Sequence, residues 1–208
     1  MVCGQPGDRC CATCLSPQPV TRTIAGLPVA AGGRYQGNLR SAILAYKEGR
    51  DRALVPVLAA ILVRSISWFQ TDFPSGQNFA LVPIPSRRSA ARVRGGDHVL
   101  RLTRQAAATS VIRHRVAPVL RLSGAVQDSV GLNRAQRRRN LAGQMSCVEP
   151  GQGRAAILID DIVTSGVTIG EAHRALEVAG WAVAGAATLA SVDRTGQDTF
   201  SGALVVRR

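Results

Sequence analysis

Two adjacent carboxylates end a continuous apolar run in the last third of the chain. Asp160 and Asp161 follow Ile157-Leu158-Ile159, a run typical of a strand that is buried on both faces of a parallel sheet. Open α/β sheets bind ligands at the carboxyl ends of such strands. Buried acids there need a partner, and two neighbouring carboxylates can share the hydroxyl groups of a sugar or a hydrated divalent cation.

A hydroxyl-rich turn follows the two acids and opens a predicted helix over residues 167–179. The turn consists of Thr164, Ser165, Gly166, Val167 and Thr168. Free N–H groups at a helix start, the helix dipole and three hydroxyl groups together form a site for a phosphate monoester. The spacing therefore predicts acids for a ribose beside a cradle for its 5-phosphate, whereas either feature alone is equally typical of a capped helix after a strand.

The elements that must position these residues follow an α/β pattern. Apolar periodicity predicts further helices over residues 37–48, 52–69 and 97–109. It also predicts strands over residues 79–85, 116–120, 155–159 and 182–190. The succession of strand, turn, helix and strand from residue 155 to residue 190 is a βαβ unit, which predicts a mainly parallel central sheet with helices on both faces.

Composition excludes disorder and fibrous repeats, since 46% of the 208 residues are hydrophobic and 19% are charged. The formal net charge is +13, and Lys47 is the only lysine. Thirteen arginines lie between Arg87 and Arg139, against two acids. This charge suits a polyphosphate-bearing metabolite or a nucleic acid, and an evenly solvated arginine-rich surface is the alternative.

Four cysteines cluster at the start of the chain: Cys3, Cys10, Cys11 and Cys14. Without an export signal, such clustering favours metal ligation over disulfides. Cys11 and Cys14 form one C-x-x-C knuckle, but a second complete knuckle is missing, so structural zinc and reduced free cysteines both stay open. We predict two parts, residues 1–31 as a Cys-rich, zinc-ribbon-like segment with a linker, and residues 32–208 as the main domain.

No targeting or membrane-spanning segment is evident from the sequence. The longest apolar run, residues 53–63, is far shorter than the roughly 20 residues that span a bilayer. The first residues carry neither a basic nor an apolar stretch of a secretory signal. We therefore expect a cytoplasmic protein with no membrane span.

The stretch over residues 157–168 resembles the phosphoribosylpyrophosphate-binding motif of type I phosphoribosyltransferases. Nearly the whole chain is similar to one branch of that superfamily, the ComF family (competence protein F-like). The likeness also rests on the cysteine-rich start, on Leu81-Val82-Pro83-Ile84-Pro85 leading into Arg92-Val93-Arg94-Gly95, and on residues 132–140. It implies a type I phosphoribosyltransferase-like fold with a flexible hood loop over residues 127–140 and a short Cys-rich appendage.

The resemblance implies a role for each part of the site. Asp160 and Asp161 would hold the ribose hydroxyls and help to place Mg²⁺, and the turn from Thr164 to Thr168 would wrap the 5-phosphate. The pyrophosphate would be gripped by Ser86, Arg87, Arg88, Arg92 and Arg94. The reaction would displace pyrophosphate from C1 of the ribose through an oxocarbenium-like transition state.

The chain departs from the family pattern at two points. Gly96-Asp97-His98 stands where the family continues with an aromatic residue, an asparagine and a glutamine. Thr164 stands where purine-salvage relatives carry an aspartate base, so the acceptor is unknown. Lys47 matches a lysine in the family's early helix, but we interpret it as a surface or packing residue.

Two other functions remain open at this point. One is a non-catalytic sensor of phosphoribosylpyrophosphate or a nucleotide. The other is an accessory protein of DNA uptake that binds single-stranded DNA, with the run Arg137-Arg138-Arg139 as a candidate contact. A homodimer is compatible with any of these functions.

Overall fold

The structure, a computed structural model, describes residue 15 and residues 17–70, 79–86, 95–123 and 141–192. The helices are α1 (Gly37–Lys47), α2 (Val55–Ser67), α3 (His98–Thr109) and α4 (Val167–Val178). The strands are β1 (Val20–Ile24), β2 (Leu27–Ala31), β3 (Ala80–Pro83), β4 (Arg115–Val116), β5 (Leu120–Leu122), β6 (Met145–Cys147), β7 (Ala155–Val163) and β8 (Ala182–Ser191).

A six-stranded sheet forms the centre of the fold, in the order β1-β2-β8-β7-β3-β4. All neighbouring pairs are parallel except β1 with β2, which form an antiparallel hairpin. Strands β5 and β6 pair separately in a small antiparallel sheet. The predicted α/β fold with a mainly parallel central sheet is confirmed, and its βαβ connection through β7, α4 and β8 is of the Rossmann-like kind.

Helices cover both faces of the sheet, and β7 is buried between them. Ile157 and Ile159 of β7 pack into a core formed with α1, α2 and α3. Ala156 and Leu158 face a second core, to which α4 contributes Ile169 and Leu176 along with other apolar residues. Burial on both faces explains why the strand appears in the sequence as a continuous apolar run.

Strand β7 is longer than predicted and carries both aspartates within it. Its pairing with β3 ends at Ile159, whereas its pairing with β8 continues through Asp160 to Val163. The acids therefore lie where β7 extends past its β3 neighbour. This is the carboxyl edge of the sheet, at which α/β proteins bind ligands.

The hairpin of β1 and β2 was not expected from the sequence, which suggested a linker and a short extended piece before residue 33. Strand β2 pairs in parallel with β8, so the hairpin belongs to the central sheet. Both strands precede the predicted boundary at 31/32. They join the same sheet as the strands that follow that boundary.

The predicted single strand over residues 116–120 is instead two strands. Strand β4 ends at Val116 and β5 begins at Leu120, with Pro118 between them. Proline cannot donate a ladder hydrogen bond, so the chain leaves the central sheet here and enters the small one.

The segment Arg52–Gln70, which contains α2, is long and apolar enough to cross a membrane by length and composition alone. Half of its most apolar window is buried inside the protein. Leu58, Leu62 and Ile66 of this segment lie in the core against the sheet. A core helix of a folded protein passes the same test, and the burial of these three leucine and isoleucine side chains is typical of a core helix.

Candidate functional site

Asp161 is a buried carboxylate with three donors around it. Its Oδ2 atom accepts from Lys47 Nζ at 2.6 Å and from His98 Nε2 at 2.6 Å. Its Oδ1 atom accepts from the Ile162 N–H at 2.7 Å. Burial opposes ionisation, but the His98 hydrogen bond and the Lys47 charge outweigh it and hold the pKa of Asp161 well below its usual range.

Asp160 has different surroundings although it is the next residue. It is only partly buried, and its Oδ1 atom accepts from the Asp161 N–H at 2.8 Å. Among the described residues no cation forms an ion pair with it. Desolvation and the negative charge of Asp161 raise the pKa of Asp160 to about 8.

Lys47 reaches the site because it is the last residue of α1. Its neighbour Tyr46 is buried and donates its hydroxyl hydrogen to the His98 carbonyl oxygen at 2.8 Å. This bond fixes the end of α1 against the start of α3. The Lys47 side chain is 24% exposed, so the ammonium lies between solvent and the Asp161 carboxylate.

His98 is held by the start of α3 and by the end of β3. Asp97 caps α3 by accepting from the N–H groups of Val99 and Leu100, and it also accepts from the Ser86 N–H at 2.9 Å. The Ser86 hydroxyl lies 3.1 Å from Nδ1 of His98. In a neutral imidazole this network fits a proton on Nε2, directed at Asp161, with Nδ1 accepting from Ser86.

The turn after β7 differs from this network in its hydroxyl groups, which make no hydrogen bond within the described residues. Thr164 and Thr168 are exposed and Ser165 is partly buried. Within the described residues none of their three hydroxyl groups makes a hydrogen bond. Helix α4 starts after Gly166, which offers no side chain to cap it. The first N–H groups of the helix and three hydroxyls therefore remain available to an anion.

Gly166 is required by two features of the turn. Its φ of +74° lies in the left-handed region. A Cβ atom at this position would also come within 2.4 Å of the Ile24 side chain. Strand β1 thus packs directly behind the turn.

Arg22, also on β1, links the turn to the end of β8. Its Nη1 atom donates to Ser191 Oγ at 3.2 Å and to the Val192 carbonyl oxygen at 3.3 Å. A longer contact of 3.5 Å joins it to the Thr164 carbonyl oxygen. The sequence offered no signal for this role, because Arg22 is one of many arginines and its partners are more than 140 residues away.

The structure brings several predicted site residues to one edge of the sheet: Ser86, Asp160, Asp161, Thr164, Ser165, Gly166, Val167 and Thr168. Ser86 is engaged by Asp97 and His98 through both its N–H and its hydroxyl. Other predicted residues lie outside the described part of the chain, and their roles stay predictions: Cys3, Cys10, Cys11, Cys14, Arg87, Arg88, Arg92, Arg94 and the run from Arg137 to Arg139.

Lys47, which we interpret from the sequence as a surface or packing residue, has a side chain that is 24% exposed and forms an ion pair with Asp161. In the sequence, His98 stands out only as part of the departure from the family pattern at Gly96-Asp97-His98. Its partner Asp161 is 63 residues away, and the tertiary fold brings the two together.

The donors that face the site suit a magnesium ion only in part. No group of three or more histidine, cysteine or acidic side chains gathers within the described ranges. Mg²⁺ commonly uses one or two carboxylates and fills its other positions with water and substrate phosphates. Asp160 can supply one such carboxylate, whereas Asp161 is already engaged by Lys47 and His98.

Neither a scan against protein-family models nor a search of curated proteins gives a match for this chain. The chemistry of the residues at the edge of the sheet therefore carries the functional conclusion.

Proposed function

We propose that the chain is a phosphoribosyltransferase-like protein of the ComF type that binds phosphoribosylpyrophosphate with Mg²⁺. One observation carries the proposal. Asp160, which forms no ion pair among the described residues, stands on the same strand end as a turn whose three hydroxyls make no hydrogen bond there and whose helix start is uncapped. An activated pentose phosphate carries two neighbouring ribose hydroxyls, which can donate hydrogen bonds to a carboxylate. It also carries a phosphate monoester, which the turn can bind.

The chain's own residues would divide the ligand between them. The turn from Thr164 to Thr168 donates hydrogen bonds to the 5-phosphate, and the dipole of α4 adds to its stabilisation. Asp160 accepts from a ribose hydroxyl. Bound Mg²⁺ would supply charge neutralisation on the pyrophosphate group. The arginines at 87, 88, 92 and 94 are proposed to do the same from the segment after β3.

Transfer would proceed by attack of an acceptor on C1 of the ribose. The bond from C1 to the acceptor forms as the bond from C1 to the pyrophosphate oxygen breaks, and pyrophosphate leaves with the bonding electrons. The acceptor is unassigned, since Thr164 cannot act as the acid–base group that an aspartate provides there. The proposal includes the type I fold with its hood loop, a structural zinc ion at the front cysteines, a cytoplasmic location and a link to DNA uptake.

Calorimetry with phosphoribosylpyrophosphate and Mg²⁺ tests the binding step. We expect Asp160→Asn and Thr168→Val each to weaken binding by about tenfold, as expected for the loss of a hydrogen bond to a charged group. Glu177→Gln is the matched control, because Glu177 is an exposed carboxylate at the far end of α4. Equal affinity of all four proteins would contradict the site assignment.

Two further measurements separate the remaining functions. Release of pyrophosphate with a panel of acceptors would support an enzyme, and tight binding without release would favour the sensor. Binding of single-stranded DNA with a steep salt dependence, reduced when Arg137, Arg138 and Arg139 are replaced, would instead favour the DNA-binding function.

A further inference from the structure

The two aspartates have the same chemistry but different charge surroundings. Asp161 accepts from the Lys47 ammonium and from His98 through one oxygen atom, and from a backbone N–H through the other. Asp160 accepts only from the Asp161 N–H among the described residues. Within the described part of the chain, the fold thus supplies a cation to Asp161 and none to Asp160.

We infer that Lys47 is a positioning residue that acts as the built-in counter-cation of Asp161, so that Asp160 is the carboxylate of the pair left open to a divalent cation. This inference deepens the proposed function, on which it rests for its ligand, and concerns how strongly the site holds a divalent cation when no ligand is bound. With one carboxylate open to it, the site holds a divalent cation weakly by itself.

The position of Lys47 supports this role. Tyr46 anchors the end of α1 to the His98 carbonyl, so Lys47 is held beside Asp161 by the packing of two helices. His98 is itself fixed by Ser86 and approaches the same oxygen as Lys47. A divalent cation that binds Asp161 Oδ2 would have to displace both Lys47 and His98 from that atom. Asp160, which is partly exposed, offers a carboxylate without that competition.

Titration with Mn²⁺ alone, followed by the loss of the free-ion signal in electron paramagnetic resonance, tests the inference without any sugar ligand. We expect weak binding by the unaltered chain. Lys47→Met should raise the Mn²⁺ affinity by at least about tenfold, because it removes a full positive charge within a few ångströms of the pair. Lys47→Arg should restore weak binding, because it keeps the charge.

Two further variants make the result specific to Asp161. Lys47→Met combined with Asp161→Asn should lose the gain in affinity. Arg40→Met removes one positive charge from the same helix, where Arg40 lies over the Tyr35 ring, and should leave Mn²⁺ binding unchanged. A merely structural role for Lys47 predicts no variant that binds the metal more tightly.

The outcomes distinguish this inference from the proposed function. Tight Mn²⁺ binding by the unaltered chain, lost in Asp161→Asn, would overturn the inference, and this measurement requires no Lys47 variant to fold. Lys47→Gln, which keeps a donor for Asp161, replaces Lys47→Met if the latter does not fold, and no gain in the folded variant would also overturn it. If the gain appears but phosphoribosylpyrophosphate does not bind, the proposed function fails and the inference stands.

Discussion

The two sides of the carboxyl end of β7 differ in how completely their polar groups are paired. On the side of α1 and α3, Asp161, His98, Ser86 and Asp97 form a continuous chain of hydrogen bonds that Lys47 completes with its charge. On the side of α4, the hydroxyls of the turn have no partner among the described residues. Fully paired buried groups stabilise the fold, so changes on the first side should affect stability most, and changes on the second side should affect ligand binding most.

The largest effect should come from breaking the paired side at Asp161. Asp161→Ala removes the partner of Lys47 and leaves the His98 N–H buried without an acceptor, which should lower the free energy of unfolding by about 3–5 kcal/mol. Chemical denaturation at neutral pH measures this change.

Asp160→Ala is the matched variant for that measurement, because it removes the neighbouring carboxylate. Its raised pKa means that the fold disfavours the charged form, so the substitution should keep or slightly raise stability at neutral pH. A loss as large as that of Asp161→Ala would show that the two sides are equally structural, contrary to the comparison above.

A smaller effect is expected from the turn itself at Gly166. Gly166→Ala places a Cβ atom in a left-handed conformation and against Ile24, which should cost about 2–4 kcal/mol of stability. Thermal unfolding and phosphoribosylpyrophosphate binding should both be measured, since a shifted turn should also weaken binding.

Gly153→Ala is the control for the turn, because Gly153 has the same φ of +74° but nothing within 4 Å of the added Cβ atom. This substitution should lower the free energy of unfolding by about 1 kcal/mol, which is the strain of the left-handed backbone alone. If the two variants are equally stable, the contact with Ile24 does not restrain the turn.

The smallest effect concerns Glu171 on α4 and the dependence of stability on pH. Glu171 is buried and accepts from Arg174 at 2.7 Å and from the Met145 N–H at 3.1 Å, which joins α4 to β6. Burial opposes its ionisation, but these hydrogen bonds outweigh it and lower the pKa of Glu171. The Glu171 carboxyl therefore binds a proton less readily in the folded state than in the unfolded state. The stability that ionised Glu171 contributes is present above the usual glutamate pKa and is lost as the pH falls below it.

Glu171→Gln should lower the free energy of unfolding by about 1 kcal/mol at neutral pH. It should also reduce the further loss of stability below about pH 4.5. Thermal unfolding from pH 3.5 to pH 7 measures both effects. Parallel curves for the two proteins across this range would exclude a contribution of Glu171 ionisation to stability.

Apolar periodicity in the sequence predicts the helices and strands that carry the site, but it does not predict the contacts between distant residues. The helix of residues 37–48, the strand before Asp160 and the helix after Gly166 all follow from apolar periodicity, and the structure confirms them within a few residues. The pairing of Lys47 with Asp161 could not follow from pattern, because it depends on how α1 packs against the sheet. The β1–β2 hairpin was missed for a related reason, since its exposed edge strand lacks a continuous apolar run.

The hairpin of β1 and β2 has a practical consequence for work on shorter forms of this chain. A fragment that starts at residue 32, as the cysteine-rich front invites, would lack both Ile24 behind Gly166 and the Arg22 guanidinium that joins Thr164 to the end of β8. Such a fragment would also expose the β8 edge that β2 now covers. A truncation intended to remove only the cysteines should therefore keep every residue from Val20 onward.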